Sequence, residues 1–254
     1  MNVPRIHSSK LLPAASFIGF LVIWELVARA GWISNTFFPP PTKIGASFIK
    51  LATSGELFSA TGATLLRFLA GFVAGSALGA VLGLMMGWWP RFHDFMDPFI
   101  GAIYPIPKIA MFPLLMIIFG IGEGSKFVAI LLAAFFPVLI NSLIGVRQIS
   151  KVYFEVGKNY GVKGRNVFTH ILLPGSLPSL MSGLLQAANI AFVIAISVEI
   201  ISSRNGLGVL LWFGWQTFRV SELYAVLVVI SVLGIALNYL FGRLTRALVP
   251  WMGE

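Results

Sequence analysis

The sequence predicts an all-α polytopic membrane protein. It has about six transmembrane helices, both termini on the cytoplasmic side, and a short cytoplasmic helix between the fourth and fifth spans. Three observations carry this. The 254 residues are 57% hydrophobic and only 11% charged, with mean hydropathy +0.90, whereas soluble domains average about 25% charged residues. Apolar runs recur at a length that suits the hydrocarbon layer, which takes about 20 helical residues to cross. One polar stretch interrupts them, EVGKNYGVKGRNVFTHILLP at 155–174.

The first span is expected at 11–30. The basic residues before it, MNVPRIHSSK, resemble the start of a signal peptide, but no small-residue cleavage site follows, so an uncleaved first span is expected. The connection 37–56 carries three consecutive prolines and then an amphipathic stretch, read as a loop with an interfacial helix. The second span, 61–87, places Gly71, Gly75, Gly79, Gly83 and Gly87 four apart. Glycines at that spacing form one stripe, against which another helix can approach closely. The sequence leaves open whether that helix belongs to the same chain or to another copy.

The third span, 98–119, contains Pro105, Pro107 and Pro113. Proline removes a backbone donor and kinks a helix. Broken backbone at membrane depth is tolerated where protein or a water-filled cavity satisfies it. With Lys108 in the same stretch, Pro105 and Pro107 are read as a wall of a translocation path. The fourth span is expected at 127–146, the fifth at 177–201 and the sixth at 222–242. Three segments result: 1–60 as first span and external loop, 61–248 as the core with the coupling loop 147–174, and 249–254 as a short tail.

Orientation follows from lysine and arginine, which accumulate on the cytoplasmic side. With the N-terminus inside, inner segments carry ten basic residues, among them Arg5 and Lys10, against six outside. The net charge of +9 is then a membrane-topology signal, and nucleic acid is not expected as a partner. There is no cysteine, and His7, His93 and His170 are scattered, so no metal site is expected. A phosphate loop is missing, because GEGSK at 122–126 lacks its spacing, and NGLG at 205–208 reads as a turn. His93, Asp94 and Asp97 are read as a loop with a helix start at Asp97-Pro98. The chain looks catalytically empty, with no cofactor of its own.

Ionisable residues within spans cost several kcal/mol if left unpaired, roughly 2.5–3.5 on insertion scales. Glu25 and Arg67 are read as snorkelling or ion-paired, and Arg67, whose charge would suit an anion, is also a candidate for the pathway. For Lys108 and Glu199 a place on the pathway and a structural role both stand. Neither Glu25 nor Glu199 has an evident partner in the sequence. In the polar stretch, a short helix is expected from Tyr153 to Gly161, a turn at Gly161, and a second short helix from Lys163 to His170. Ile171, Leu172 and Leu173 re-enter the apolar phase, and Pro174 and Pro178 mark the start of the fifth span. Such a knuckle, tied to two spans, suits the passage of force from a soluble partner.

These residues resemble the permease subunits of binding-protein-dependent ABC importers. The family's cytoplasmic motif runs EAA, three residues, Gly, nine residues, Ile-x-Leu-Pro. Here Glu155, Val156, Gly157, Gly161, Ile171, Leu173 and Pro174 keep that spacing, with Tyr160 just before the glycine and Val-Gly in place of Ala-Ala. A colinear set is similar to the nitrate, sulfonate and taurine branch: Thr64-Leu-Leu-Arg67, Asp97-Pro98, Pro105-x-Pro107, FGIGE at 119–123, LPGSLPSLMSGL at 173–184, Glu199, Gly206-Leu-Gly208 and Trp251.

The resemblance implies a multi-pass permease in a bacterial or archaeal cytoplasmic membrane. It implies pairing with a second permease copy, docking on a cytoplasmic ATP-binding subunit that holds ATP and Mg, and delivery by an extracytoplasmic solute-binding protein. Residues 155–161 would insert into the ATPase. The solute would be a small anion such as a sulfonate, taurine or nitrate, with a thiamine pyrimidine or riboflavin as the alternative. A stand-alone secondary transporter would need a paired-acid route or an internal repeat. A membrane enzyme would need clustered histidines or carboxylates. Neither is visible in the sequence.

Overall fold

A computed structural model describes residues 11–251. The basic positions Arg5 and Lys10, His7, and the last three residues of the expected tail lie outside the described residues. All regular structure among those described is helical. The helices are α1 (Leu11–Arg29), α2 (Pro41–Thr53), α3 (Glu56–Trp88), α4 (Pro90–Ile103), α5 (Phe112–Phe119), α6 (Glu123–Arg147), α7 (Lys151–Asn159), α8 (Arg165–Val167), α9 (Leu173–Ser202), α10 (Leu207–Gln216) and α11 (Val220–Leu248). A 3-10 turn at Lys108–Met111 precedes α5, and a π turn at Phe168–Leu172 joins α8 to α9.

Among the described residues four helices are long and apolar enough to cross a membrane: α3, α6, the run Arg165–Ser202, and α11. A fifth span arises if α4 and the Lys108–Phe119 segment are taken together across their 83° bend. The sixth expected span falls on α1, whose first residues adjoin the part outside the described residues. The sharpest difference from the sequence reading is the third span. It is not one kinked helix over 98–119 but two helices separated by a break at Tyr104–Pro107. Pro105 and Pro107 lack the N–H groups a continuous helix needs there. Asp97-Pro98 also differs: it lies inside α4, which starts at Pro90, so His93, Asp94 and Asp97 share a helix rather than a loop. His93 Nε2 is 3.5 Å from Asp97 Oδ1, one turn along.

The chain divides into two compact units. One holds the chain up to Phe58 together with Leu210–Val229, and the other holds Ser59–Val209 and Ile230 onward. The sequence reading did not group Leu210–Val229 with the first unit. In that unit α1 approaches α2 through Glu25, which accepts from Arg29 Nε at 2.6 Å, from Thr42 N at 3.0 Å and from Thr42 Oγ1 at 2.8 Å. Glu25 therefore does have partners. Within the same unit Lys50 Nζ lies 3.0 Å from Glu222, and Trp24 meets Tyr224 edge-on.

The second unit carries the core. The glycine stripe of α3 lies on α6 of the same chain, which answers the question the sequence left open. A methyl group on Gly75, Gly79 or Gly83 would meet the backbone oxygens of Leu131, Phe135 or Leu139, and one on Gly71 would meet Ile130 at 2.6 Å. Gly87 closes the seam on Val146. On its other side α6 receives α9 through small residues. Gly145 faces Ser176 and Ser179, and Gly183 faces Asn141, while Ala187, Ala188, Ala191 and Ala195 are fully buried. Small residues let helix backbones approach until dispersion and backbone contacts hold them, which is how helices associate where lipid removes the hydrophobic drive. Phe68, Phe72, Phe192 and Phe241 fill the wider gaps, with ring centroids 5.4–5.8 Å apart.

Candidate functional site

Two constellations stand at opposite ends of the second unit's helices. The first is built where α3, α6 and α9 come together near the NGLG turn. Glu199 is fully buried, near the C-terminal end of α9. Its Oε1 accepts from Arg67 Nη1 at 2.7 Å, and its Oε2 accepts from Thr64 Oγ1 at 2.9 Å and from Gly208 N at 3.0 Å. Arg67 also forks onto Glu123 through Nε at 2.7 Å and Nη2 at 3.1 Å, and its Nη1 reaches the Asn205 carbonyl at 2.6 Å. Lys126 Nζ donates to Glu123 at 2.9 Å.

Two cations thus balance two carboxylates. Glu199 and Lys126 are buried and Arg67 nearly so, and charges at low dielectric are tolerated only when paired and hydrogen-bonded; Glu123 reaches them from the exposed side. The turn is locked into the same network. Leu207 N donates to Thr64 Oγ1 at 2.9 Å and Asn205 Nδ2 to Ser59 Oγ at 3.0 Å. Gly206, at φ 144°, leaves no room for a side chain against the Glu199 carboxylate. The sequence reading gave Glu199 no partner; the structure gives it three donors. The overlooked signal was charge balance: Arg67 and Lys126 sit at the same helix ends as Glu123 and Glu199.

Lys108 has a different environment. Its ammonium donates to the carbonyls of Ile103, Tyr104 and Ile106 at 2.9–3.0 Å and lies 4.3 Å from the Phe136 ring centroid. A lysine has three N–H donors, and all three go to carbonyls at the break after α4. Pro105 and Pro107 create the break, and Lys108 satisfies it.

The second constellation is the knuckle. α7 runs from Lys151 to Asn159 and ends in a Schellman arrangement, in which Gly161 N donates to Lys158 O at 3.0 Å and Val162 N to Gly157 O at 2.8 Å. Gly161 takes the left-handed φ of 74° that this cap requires. Gly157 is buried, and a Cβ there would lie 2.6 Å from Ile171 Cδ1. The motif's two halves therefore touch, and the glycine in place of alanine makes room for Ile171. The second helix of the knuckle is not separate, as expected from Lys163–His170. It begins at Arg165 and runs through the π turn into α9, 38 residues in one run to Ser202. Leu172 is buried at that junction, and Leu173 and Pro174 are half-buried in the first turn of α9.

The outer face of α7 is apolar and open. Tyr153, Val156 and Tyr160 are exposed, the last at 85%, and Glu155 on the same helix is exposed without an ion pair among the described residues. Beside it a pocket is lined by Tyr153, His170, Ile171, Pro174 and Trp251.

Comparison with known proteins fits this geometry. The chain is 30% identical over 239 residues to the taurine transport system permease protein TauC of Escherichia coli K12, covering 92% of this chain and 87% of that one. It is 30% identical to a putative aliphatic sulfonates transport permease protein of Bacillus subtilis 168, covering 95% and 86%. It is also 30% identical to the formylaminopyrimidine transport permease protein ThiX of Halalkalibacterium halodurans, covering 95% and 96%. Among solved structures, an inward-facing MetNI methionine ABC transporter chain shares the fold, with TM-score 0.59 at 19% identity, covering 72% of this chain and 94% of that one. The family model described as "Binding-protein-dependent transport system inner membrane component" matches residues 71–254. The chain belongs to that family, the multi-pass inner-membrane permeases of ABC importers.

Proposed function

We propose that this chain forms the solute path of an ATP-driven importer for a small anion, an aliphatic sulfonate or taurine ahead of nitrate, and couples to a separate cytoplasmic ATPase. The observation that carries the reading is the knuckle. A short exposed helix with one apolar face, α7, is fastened by Gly157 and Ile171 to a rod that continues through an apolar span. In this reading α7 inserts into the ATPase, which binds ATP and Mg, and Glu155 meets a basic residue there. Tyr153, Val156 and Tyr160 supply the apolar contact. ATP-driven closure of the ATPase moves α7, and α8–α9 carries the movement into the bundle. A second permease copy completes the path, a binding protein delivers solute from outside, and both termini are cytoplasmic.

The Arg67–Glu199 network then lies at the outer end, where it holds the NGLG turn against α3 and α6. Lys108, Pro105 and Pro107 shape the wall at the broken third span. The sulfonate preference rests on the taurine and sulfonate relatives. A vitamin precursor is the second reading, favoured by the formylaminopyrimidine relative.

The test is ATP hydrolysis by the complex of this chain with the ATPase encoded beside it, reconstituted in lipid with its binding protein. Hydrolysis should rise when solute-loaded binding protein is added, and the solute that raises it names the substrate class. Glu155→Lys and Gly161→Asp should abolish that response. If both variants leave it intact, α7 is not the coupling element.

A further inference from the structure

One face of α9, flanking its seam with α6, carries polar residues over most of its length. Ser179, Ser182, Gln186, Asn189 and Ser197, with the apolar Val193 among them, fall within an arc of about 80° at 100° per residue, and they span about 27 Å at 1.5 Å rise. The alanines of the seam, Ala188, Ala191 and Ala195, are buried on the other side of the helix, and Ser179 touches the seam at Gly145. Ser182, Gln186 and Val193 are exposed, and Ser179, Asn189 and Ser197 are half-buried. The polar band extends sideways onto both neighbours. Asn141 of α6 donates to Gln186 Oε1 at 3.3 Å and to the Pro137 carbonyl at 2.8 Å. Asn189 and Asn238 of α11 exchange amide hydrogen bonds at 3.1 and 3.3 Å. Ser179 Oγ lies 3.4 Å from Gln148 Oε1.

Four amide side chains in the middle of apolar helices are costly if they face lipid. They are also not the small residues with which this chain joins its helices, since those are already used on the α3–α6 and α6–α9 seams. Gln186 keeps its Nε2 donor directed at no described partner. The band carries no charge, whereas Arg67, Lys126, Glu123 and Glu199 are committed to one another.

We propose that this band, centred on Ser182, Gln186 and Asn189 with Asn141 and Asn238 beside them, lines the route of the solute, and that it passes a small oxyanion by hydrogen-bond donation from the Gln186 amide and the second Asn189 amide hydrogen, without a fixed counter-charge; the Ser182 hydroxyl and the amide hydrogens of Asn141 and Asn238 already have acceptors in the chain. The proposal rests on the transport reading above. Neutral donors suit passage: they replace water around sulfonate oxygens, but hold the anion less firmly than a buried arginine would.

The chain has no cysteine, so single thiols can be placed in it without background. Ser182→Cys, Gln186→Cys and Asn189→Cys are compared with Ile235→Cys, an exposed apolar position of α11. Each is tested in the reconstituted complex with its ATPase, using membrane-impermeant ethylsulfonate and trimethylammonium-ethyl methanethiosulfonates. The expected result is labelling of the three band positions at least tenfold faster than Ile235→Cys, with the anionic reagent admitted, and a rate that changes when ATP locks the complex. Gln186→Glu should slow anion uptake at least tenfold with an unchanged melting temperature, and Gln186→Asn should retain most uptake.

Labelling no faster than at Ile235→Cys, in a complex whose ATP hydrolysis still responds to loaded binding protein, overturns the band and leaves the transport reading standing. So does a Gln186→Cys chain that cross-links to a second copy while closed to both reagents, since the band is then a dry seam between copies. Absence of any response to binding protein counts against the transport reading instead, and the labelling rates still decide whether the band meets water.

Discussion

The two ends of the second unit are built by opposite means. At the Glu199 end, four charges, a threonine and a glycine turn close on one another, and almost every donor has an acceptor within the chain. At the α7 end, one buried glycine contact and one helix cap hold a short helix whose tyrosines and valine face outward. The first end is finished within one chain. The second leaves its tyrosines and valine open. In the proposed reading the first end is the stiff frame and the second the handle for the partner that moves it.

The largest effect that can break this contrast is at the closed end. Arg67→Ala should cost about 3–5 kcal/mol, because it leaves the fully buried Glu199 carboxylate without its cation, and the detergent-solubilised chain should lose its cooperative melting transition or melt far lower; Glu199→Ala should cost less, because Arg67 keeps its ion pair with Glu123. The double variant should cost less than the sum of the two, since the pair is coupled. Next comes the glycine seam. Gly79→Leu should destabilise by about 1–3 kcal/mol or more through overpacking, because its Cβ would already meet the backbone of Phe135; thermal unfolding reads this directly.

At the open end the effects on stability are smaller and those on coupling larger. Gly161→Ala forces an L-residue into a left-handed cap at a cost of about 1 kcal/mol. The melting temperature should move by little while ATPase stimulation falls. Smallest is Gly157→Ala, which restores the motif's alanine. Its methyl would press on the far end of the Ile171 side chain, so Ile171→Val in the same chain should relieve whatever is lost. If Gly161→Ala lowered stability as much as Arg67→Ala, the two ends would not differ as described.

Much of this was legible in the sequence, for identifiable reasons. Spans α3, α6, α9 and α11 follow from apolar run length, and the knuckle follows from the spacing of Glu155, Gly161 and Ile171–Pro174. Proline announces a disturbed helix but not its angle, so the sequence predicts a kink where the structure has a break at Tyr104–Pro107, with Lys108 bonded to three carbonyls there. The partners of Glu199 were invisible because Thr64, Arg67 and Gly208 come from other elements, and only folding brings them together. The polar band on α9 was present as Ser182, Gln186 and Asn189 at helical spacing. It was unreadable until the buried seam fixed which face of the helix remained open.

The 38-residue run from Arg165 to Ser202 has one further consequence. It holds the knuckle at its start, the amide band in its middle and Glu199 near its finish. The three are therefore set in phase like marks on a shaft. One added residue between Pro174 and Ser179 would turn everything beyond it by about 100°. The band would rotate toward α6, and Glu199 would rotate away from Arg67, although no side chain had been altered. Substitutions along this shaft can be absorbed one at a time, but a change in its length cannot.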